Sequence, residues 1–244
     1  MNNEVAFITG ASHGIGRAIA IEFARAGYAL AINCRHSADE LNNLAEELNK
    51  TFHVPCIPLV GDVGDEDFVK HAFLRTEQTI GAVTILVNNA GISHIGLLSD
   101  MSLLEWERII RTNLTSLFCC CKHAIPKMVH SKSGRILNIS SVWGNVGASC
   151  EVAYSASKGG VNAFTKALAK ELAPSGITVN AIACGVIDTR MNQCFSEEER
   201  TQLAEEIPAG RFGNAQEVAQ LALSIVTSSS YLTGQIITLD GGWQ

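Results

Sequence analysis

Short apolar runs alternate with amphipathic stretches along nearly the whole chain. The runs at 5–9, 28–34, 56–60, 84–88, 135–140, 177–183 and 235–239 are dominated by Val, Ile, Leu and Ala, and they predict strands. Between them, apolar residues recur at helical spacing near 15–26, 38–50, 65–79, 102–130, 152–173 and 214–227. Strands that read as continuous apolar runs, without polar alternation, are buried on both faces. The pattern therefore predicts an α/β fold: a parallel sheet with helices on both faces. Right-handed crossovers in such a sheet place ligands at the carboxyl ends of the strands. No linker or repeat interrupts the alternation, so residues 1–244 are read as a single domain.

Composition narrows the class. With 47% hydrophobic and 17% charged residues, the 244-residue chain can bury a substantial core and is not a disordered segment. A net charge of −6 speaks against a nucleic-acid binder. No apolar run approaches the ~20 residues of a membrane helix. Met1-Asn2-Asn3-Glu4 leads directly into the first strand without a secretion signal, so the expectation is a cytoplasmic protein whose eight cysteines are reduced. Cys119-Cys120-Cys121 resembles a ligand cluster, but consecutive helical residues diverge and no Cys-x-x-Cys accompanies them. Packed core thiols and no metal are expected.

Two motifs carry chemistry. The first is Thr9-Gly10-Ala11-Ser12-His13-Gly14-Ile15-Gly16, set between the first strand and the first helix. Glycines permit a tight turn and close approach of a ligand, and free N–H groups at the helix start attract phosphate. The spacing Gly-x-x-x-Gly-x-Gly differs from the commoner Gly-x-Gly-x-x-Gly, but the strand-turn-helix context favours a nucleotide site.

The second is Tyr154-Ser155-Ala156-Ser157-Lys158. Residues four apart share a helix face. A fixed ammonium beside a phenol favours the phenolate, which should lower the tyrosine pKa and suit it to general acid–base work. Alone, such a pair occurs by chance on many helices.

Together with Asn88-Asn89-Ala90-Gly91, Asn113, Ser141 and the ending Gly234-Gln235-Ile236-Ile237-Thr238-Leu239-Asp240-Gly241-Gly242, these motifs resemble, in order and spacing, the short-chain dehydrogenases/reductases. The resemblance covers essentially the whole chain. It implies a single Rossmann-type, doubly wound, parallel seven-stranded sheet, a nicotinamide cofactor and a homotetramer. It also implies that Tyr154 gives a proton to the carbonyl oxygen as hydride arrives, and that Lys158 holds the nicotinamide ribose and lowers the tyrosine pKa. By the same resemblance Ser141 orients the carbonyl, with Ser140 the competing candidate, and Asn113 holds a water linking Lys158 to solvent. Without the other motifs, Asn113 would read as a solvated helix residue.

The resemblance implies cofactor contacts from Gly10, Ser12, His13, Gly14, Ile15, Gly16, Arg35, His36, Ser37, Asp62, Val63, Asn89, Ala90, Gly91, Tyr154, Lys158, Gly185, Ile187 and Thr189. Relatives that prefer NAD carry an acidic residue at the end of the second strand. Here that position is Cys34, followed by Arg35-His36-Ser37. A guanidinium suits a 2′-phosphate and no carboxylate repels it, so NADPH/NADP+ is the expected cofactor. Two departures stand out: His13 replaces an arginine common in NADP-dependent relatives, and Cys184-Gly185 replaces Pro-Gly. The lost proline frees a backbone N–H beside the nicotinamide.

The overall pattern is similar to bacterial 3-oxoacyl-(acyl-carrier-protein) reductases. The stretch 140–155, Ser93-His94-Ile95-Gly96-Leu97 and Asp240-Gly241-Gly242-Trp243 look like the elongation factor P 5-aminopentanone reductases. The expected substrate is thus a ketone carried on a protein, either the modified lysine of elongation factor P or an acyl carrier chain. Ser141, Trp143 and Glu151 are the candidate substrate contacts. Trp143 could equally fill the core, and Glu151 could simply favour the helix start. A sensor without chemistry, or a dehydratase or epimerase, fits the intact Ser141, Tyr154 and Lys158 less well. Residues 185–207 are expected to hold a short helix within a lid over the site. Leu114, Leu117, Phe118, Phe164 and Leu168 are expected to face other subunits.

Overall fold

The computed structural model describes residues 4–192 and 195–244. Strands β1 (Val5–Ile8), β2 (Ala29–Cys34), β3 (Cys56–Val60), β4 (Val83–Asn88), β5 (Gly134–Ser141), β6 (Ile177–Cys184) and β7 (Ile236–Leu239) form one parallel sheet in the order β3-β2-β1-β4-β5-β6-β7. Every residue of β1 and of β6 is buried, which is why these strands read as unbroken apolar runs. The direction of winding reverses between β1 and β4, and the crevice opened there is where such sheets bind ligands.

Helices cover both faces: α1 (Gly14–Arg25), α2 (Ala38–Phe52), α3 (Glu66–Thr79), α4 (Leu103–Ile110), α5 (Ser116–Ser131), α6 (Trp143–Val146), α7 (Val152–Leu172), α8 (Glu197–Glu206) and α9 (Ala215–Val226). On one face Ile19, Phe23, Leu41, Leu48 and Ala222 pack against Ile8, Ile32 and Ile182 of the sheet. On the other, Val69, Cys120, Met128 and Leu172 pack against Phe7, Leu86 and Val179, with Phe7 stacked on Phe73 at 4.6 Å. Helix starts are chemically marked. Asp65 accepts from the N–H groups of Asp67 and Phe68 to begin α3, while Ser102/Glu105, Ser196/Glu199 and Asn214/Glu217 form capping boxes at α4, α8 and α9.

The single helix predicted over 102–130 is two helices joined by a π-helical turn, Arg111–Thr115. The wider turn swings Asn113 inward, and both flanking halves stay amphipathic, so periodicity alone reads them as continuous. Strand limits differ by about one residue from the predicted ones. Thr9, for example, leaves β1 to enter the glycine turn. The helix expected within 185–207 is α8. Cys119, Cys120 and Cys121 are buried free thiols, and burial pushes Cys121 up to about 12. Among the described residues no group of three His, Cys, Asp or Glu could hold a metal, and no helix is long and apolar enough to cross a membrane.

Candidate active site

A cavity of about 670 Å³ lies at the carboxyl ends of the strands. One end is the glycine turn. Gly10 and Gly14 have φ of +65° and +57°, and a Cβ on Gly10 would lie 2.9 Å from the Cα of Ala90. His13, at the N-cap of α1, offers no side-chain acceptor to the helix, and the first turn carries no acidic residue. Its N–H groups are therefore suited to an anion from the cavity. Gly10, Ser12, His13, Gly14 and Ile15 line this end, whereas Gly16 does not. A Cβ on Gly16 would strike the Gly10 carbonyl and the Asn89 amide, so its role is packing behind the turn, not contact with a ligand.

Asn89 braces the same turn. Its Nδ2 donates to the carbonyls of Thr9 (2.9 Å) and Gly10 (3.0 Å), while Thr9 Oγ1 accepts from the N–H groups of Asn89 and Ala90, both at 2.9 Å. Asn89, Ala90 and Gly91 then form the cavity floor. Beyond β2, Arg35, His36, Ser37, Asp62 and Val63 line the rim. Arg35 is half exposed and stands 3.6 Å from Asp62, whose other oxygen accepts from the N–H of Gly64 at 2.8 Å. Cys34 is buried at the position where a carboxylate would repel a phosphate.

The middle of the cavity joins β5 to α7. Ser141, Tyr154 and Lys158 come together there, as expected. Ser140 drops out of contention because its hydroxyl donates to Asn162 Oδ1 at 2.6 Å. Ser141 faces the cavity, accepts from the N–H of Trp143 at 3.2 Å and hydrogen-bonds Tyr154. Lys158 is almost fully buried; its Nζ donates to the Ile139 carbonyl at 2.8 Å and lies 5.6 Å from the centre of the Tyr154 ring. The electrostatics correct one expectation. Burial raises the Tyr154 pKa, only partly opposed by the Ser141 hydrogen bond, while burial lowers Lys158 to about 8. Loss of water penalises both charged forms more than the pair gains from its attraction. Tyr154 is therefore a neutral phenol, equipped to donate a proton.

Asn113 does not follow the alternative of a solvated helix residue. It is fully buried, and its amide is taken up by both backbone groups of Ile92 and by Ser157, so the side chain is a brace and not a solvated group. Ser157 donates onward to the Tyr154 carbonyl at 2.7 Å.

At the far end, Trp143 packs edge-on against Trp243 with ring centres 4.9 Å apart. Ile95, Ala148, Met191 and Phe195 complete a largely apolar wall. Glu151 stands in this wall at the N-cap of α7 but makes no side-chain cap bond. It is half-buried without a hydrogen bond or ion pair from its carboxylate to a described residue, and burial raises its pKa. Gly185, Ile187 and Thr189 line the cavity after β6, as does Cys184, whose thiol burial pushes up to about 12. Trp243, noted from sequence only within the Asp240-Gly241-Gly242-Trp243 ending, and Arg190, not singled out there, also line it. The Trp243 signal was the preceding Asp240-Gly241-Gly242, because Asp240 accepts from the N–H groups of Gly242 (3.0 Å) and Gln244 (2.9 Å) and so turns the chain end.

A switch-point crevice with a glycine-turn anion cradle and a Ser-Tyr-Lys wall defines a nucleotide-dependent oxidoreductase of the short-chain type. Residues 4–200 match the short chain dehydrogenase family model, and the chain belongs to that family. It is 39% identical over 242 residues to an uncharacterized oxidoreductase, YmfI, of Bacillus subtilis, covering 99% of each chain. It is 40% identical over 243 residues to the 3-oxoacyl-[acyl-carrier-protein] reductase FabG of Aquifex aeolicus, covering 99% of this chain and 98% of the relative. Among solved structures, a 3-oxoacyl-[acyl-carrier protein] reductase from Brucella melitensis superposes with a TM-score of 0.93 at 34% identity, covering 99% of this chain and 91% of that one. A putative gluconate dehydrogenase from Agrobacterium tumefaciens gives the same TM-score and identity over 98% and 95%.

Proposed function

We propose that the protein, as one domain spanning residues 1–244, reduces a ketone to a secondary alcohol with NADPH. The observation that carries the reading is the convergence of Ser141, Tyr154 and Lys158 on one wall of a cavity whose opposite end is an anion cradle. When bound, the dinucleotide supplies the hydride that reaches the carbonyl carbon. Gly10, Gly14 and the first turn of α1 fit its pyrophosphate, and Arg35 with Ser37 fits a 2′-phosphate. Lys158, lowered by burial to about 8, would hold the ribose hydroxyls and keep positive charge beside the phenol. Ser141 donates to the carbonyl oxygen and sets its distance from Tyr154. Tyr154 releases its proton to that oxygen, so one hydride and one proton complete the alcohol. Asn113 fixes the π turn against α7 and so positions Tyr154 and Lys158.

The favoured substrate is the 5-aminopentanone-modified lysine of elongation factor P, in the cytoplasm, with the enzyme a homotetramer. Supporting it is Glu151, a carboxylate unpaired among the described residues in a largely apolar wall, which suits a primary ammonium and would burden a fatty chain. The second reading, reduction of 3-oxoacyl groups on an acyl carrier protein, is favoured by relatives that bear that name at 40% identity.

NADPH oxidation with an aminopentanone-bearing protein and with acetoacetyl thioesters tests both. Tyr154→Phe should bind NADPH normally and lose turnover by about 10²-fold or more. Near-normal turnover in that variant would remove Tyr154 from the chemistry.

A further inference from the structure

Arg190 opens the short 3-10 turn Arg190–Asn192 beyond β6. Arg190 lines the cavity, and its guanidinium meets Glu40 in the first turn of α2 at 4.0 Å. The neighbouring Thr189 side chain rests on the glycine turn, since a Cβ on Gly14 would lie 3.4 Å from Thr189 Cγ2. Both partners of the ion pair are about half exposed, 58% for Arg190 and 48% for Glu40. A pair this long and this wet is weak, so the guanidinium is free to be recruited.

Arg35 sits across the same rim in a matching condition, 3.6 Å from Asp62. His13 lines the same cavity, with its Nδ1 bonded to Ser12 Oγ at 2.9 Å. Burial, then the charge of Arg190, holds the His13 imidazole below 6.5, and so uncharged at neutral pH. Arg190 and Arg35 thus each stand beside a carboxylate beyond hydrogen-bonding distance, with Arg111 also 3.9 Å from the Asp62 that faces Arg35. Arg190 already reaches toward the helix that starts directly after Arg35-His36-Ser37.

We propose that Arg190 is a specificity residue for the ribose 2′-phosphate: it exchanges Glu40 for the phosphate and binds it jointly with Arg35. The proposal rests on the NADPH reading. A dianion outcompetes a single carboxylate for a guanidinium that can form two parallel hydrogen bonds. NADH, lacking the phosphate, would leave Arg190 with Glu40.

Calorimetric titration with 2′,5′-ADP and 5′-ADP tests this without turnover. Arg190→Gln should weaken 2′,5′-ADP on the order of tenfold and change 5′-ADP less than about twofold. Glu40→Gln should tighten 2′,5′-ADP severalfold. Equal losses for both nucleotides would make Arg190 a lid latch or a contact to the shared phosphate, and no loss would leave it only a partner of Glu40. Either result overturns the proposal. An unmutated protein that fails to prefer 2′,5′-ADP would instead overturn the NADPH reading. A selective loss in Arg35→Ala with none in Arg190→Gln would spare that reading and remove only Arg190.

Discussion

Asn113 closes both backbone hydrogen bonds of Ile92, accepting from its N–H at 2.8 Å and donating to its carbonyl at 2.9 Å. The same amide donates to Ser157 at 3.0 Å, which ties the loop after β4, the π turn and α7 into one unit. Because α7 carries Tyr154 and Lys158, a residue outside the cavity wall sets the geometry within it.

Asn113→Leu keeps the branched shape, though larger, and removes all three bonds. Leaving those groups unpaired should cost about 1–3 kcal/mol, read as a lower urea midpoint. Turnover should fall more than NADPH affinity, because the glycine turn is braced separately by Asn89. Unchanged stability and turnover would show that the brace is redundant.

Much of this was legible in the chain. Strands buried on both faces announce themselves as apolar runs, and Ser141 was named with Ser140 as its competitor, which the Ser140–Asn162 hydrogen bond then removed. What was not legible depends on long-range burial. The π turn adds one residue without disturbing the amphipathic pattern on either side. The pKa of Tyr154 moved opposite to the pairwise expectation, because desolvation is a property of the packed site and not of a four-residue spacing. Leu117 and Leu168, expected at a subunit interface, face the protein's own core at 3% and 9% exposure. Arg190 gave no signal, since its neighbour Glu40 is distant in sequence.

Lys158 gives a pH signature. The folded protein releases its proton near pH 8, against 10.5 ordinarily. Between those values the unfolded state holds more protons, so this group's contribution makes stability rise with pH, and below the window it is constant. In urea titrations across the window, Lys158→Met should lack this rise, and the free-energy difference between the two proteins should shift toward the unmutated one. A difference independent of pH would mean that Lys158 is not depressed.

Leu114, Phe118 and Phe164, with Gly160, Ala163 and Ala167, form a shallow apolar groove across α5 and α7, and Phe118 is 50% exposed. A second copy packed there would account for the apolar surface. By light scattering the unmutated protein should run as a tetramer, and Phe118→Glu should run as a smaller species with its fold intact by circular dichroism. A monodisperse monomer of the unmutated protein at micromolar concentration would dismiss the assembly.

Glu151 separates the two substrate readings. Its carboxylate is half-buried, unpaired among the described residues and set in a wall with Trp143 and Trp243. Burial raises its pKa, so a cationic substrate group arriving beside it would restore the ionised form and gain from doing so. The affinity for an amino-ketone should then rise with pH as Glu151 ionises, whereas an uncharged ketone of equal length should show no such rise. Glu151→Gln should raise the Michaelis constant for the amino-ketone about tenfold and flatten that pH dependence, with the uncharged ketone unaffected. If both ketones respond alike, Glu151 only shapes the start of α7. If acyl thioesters are reduced far better than amino-ketones by the unmutated enzyme, the acyl-carrier reading replaces the aminopentanone one.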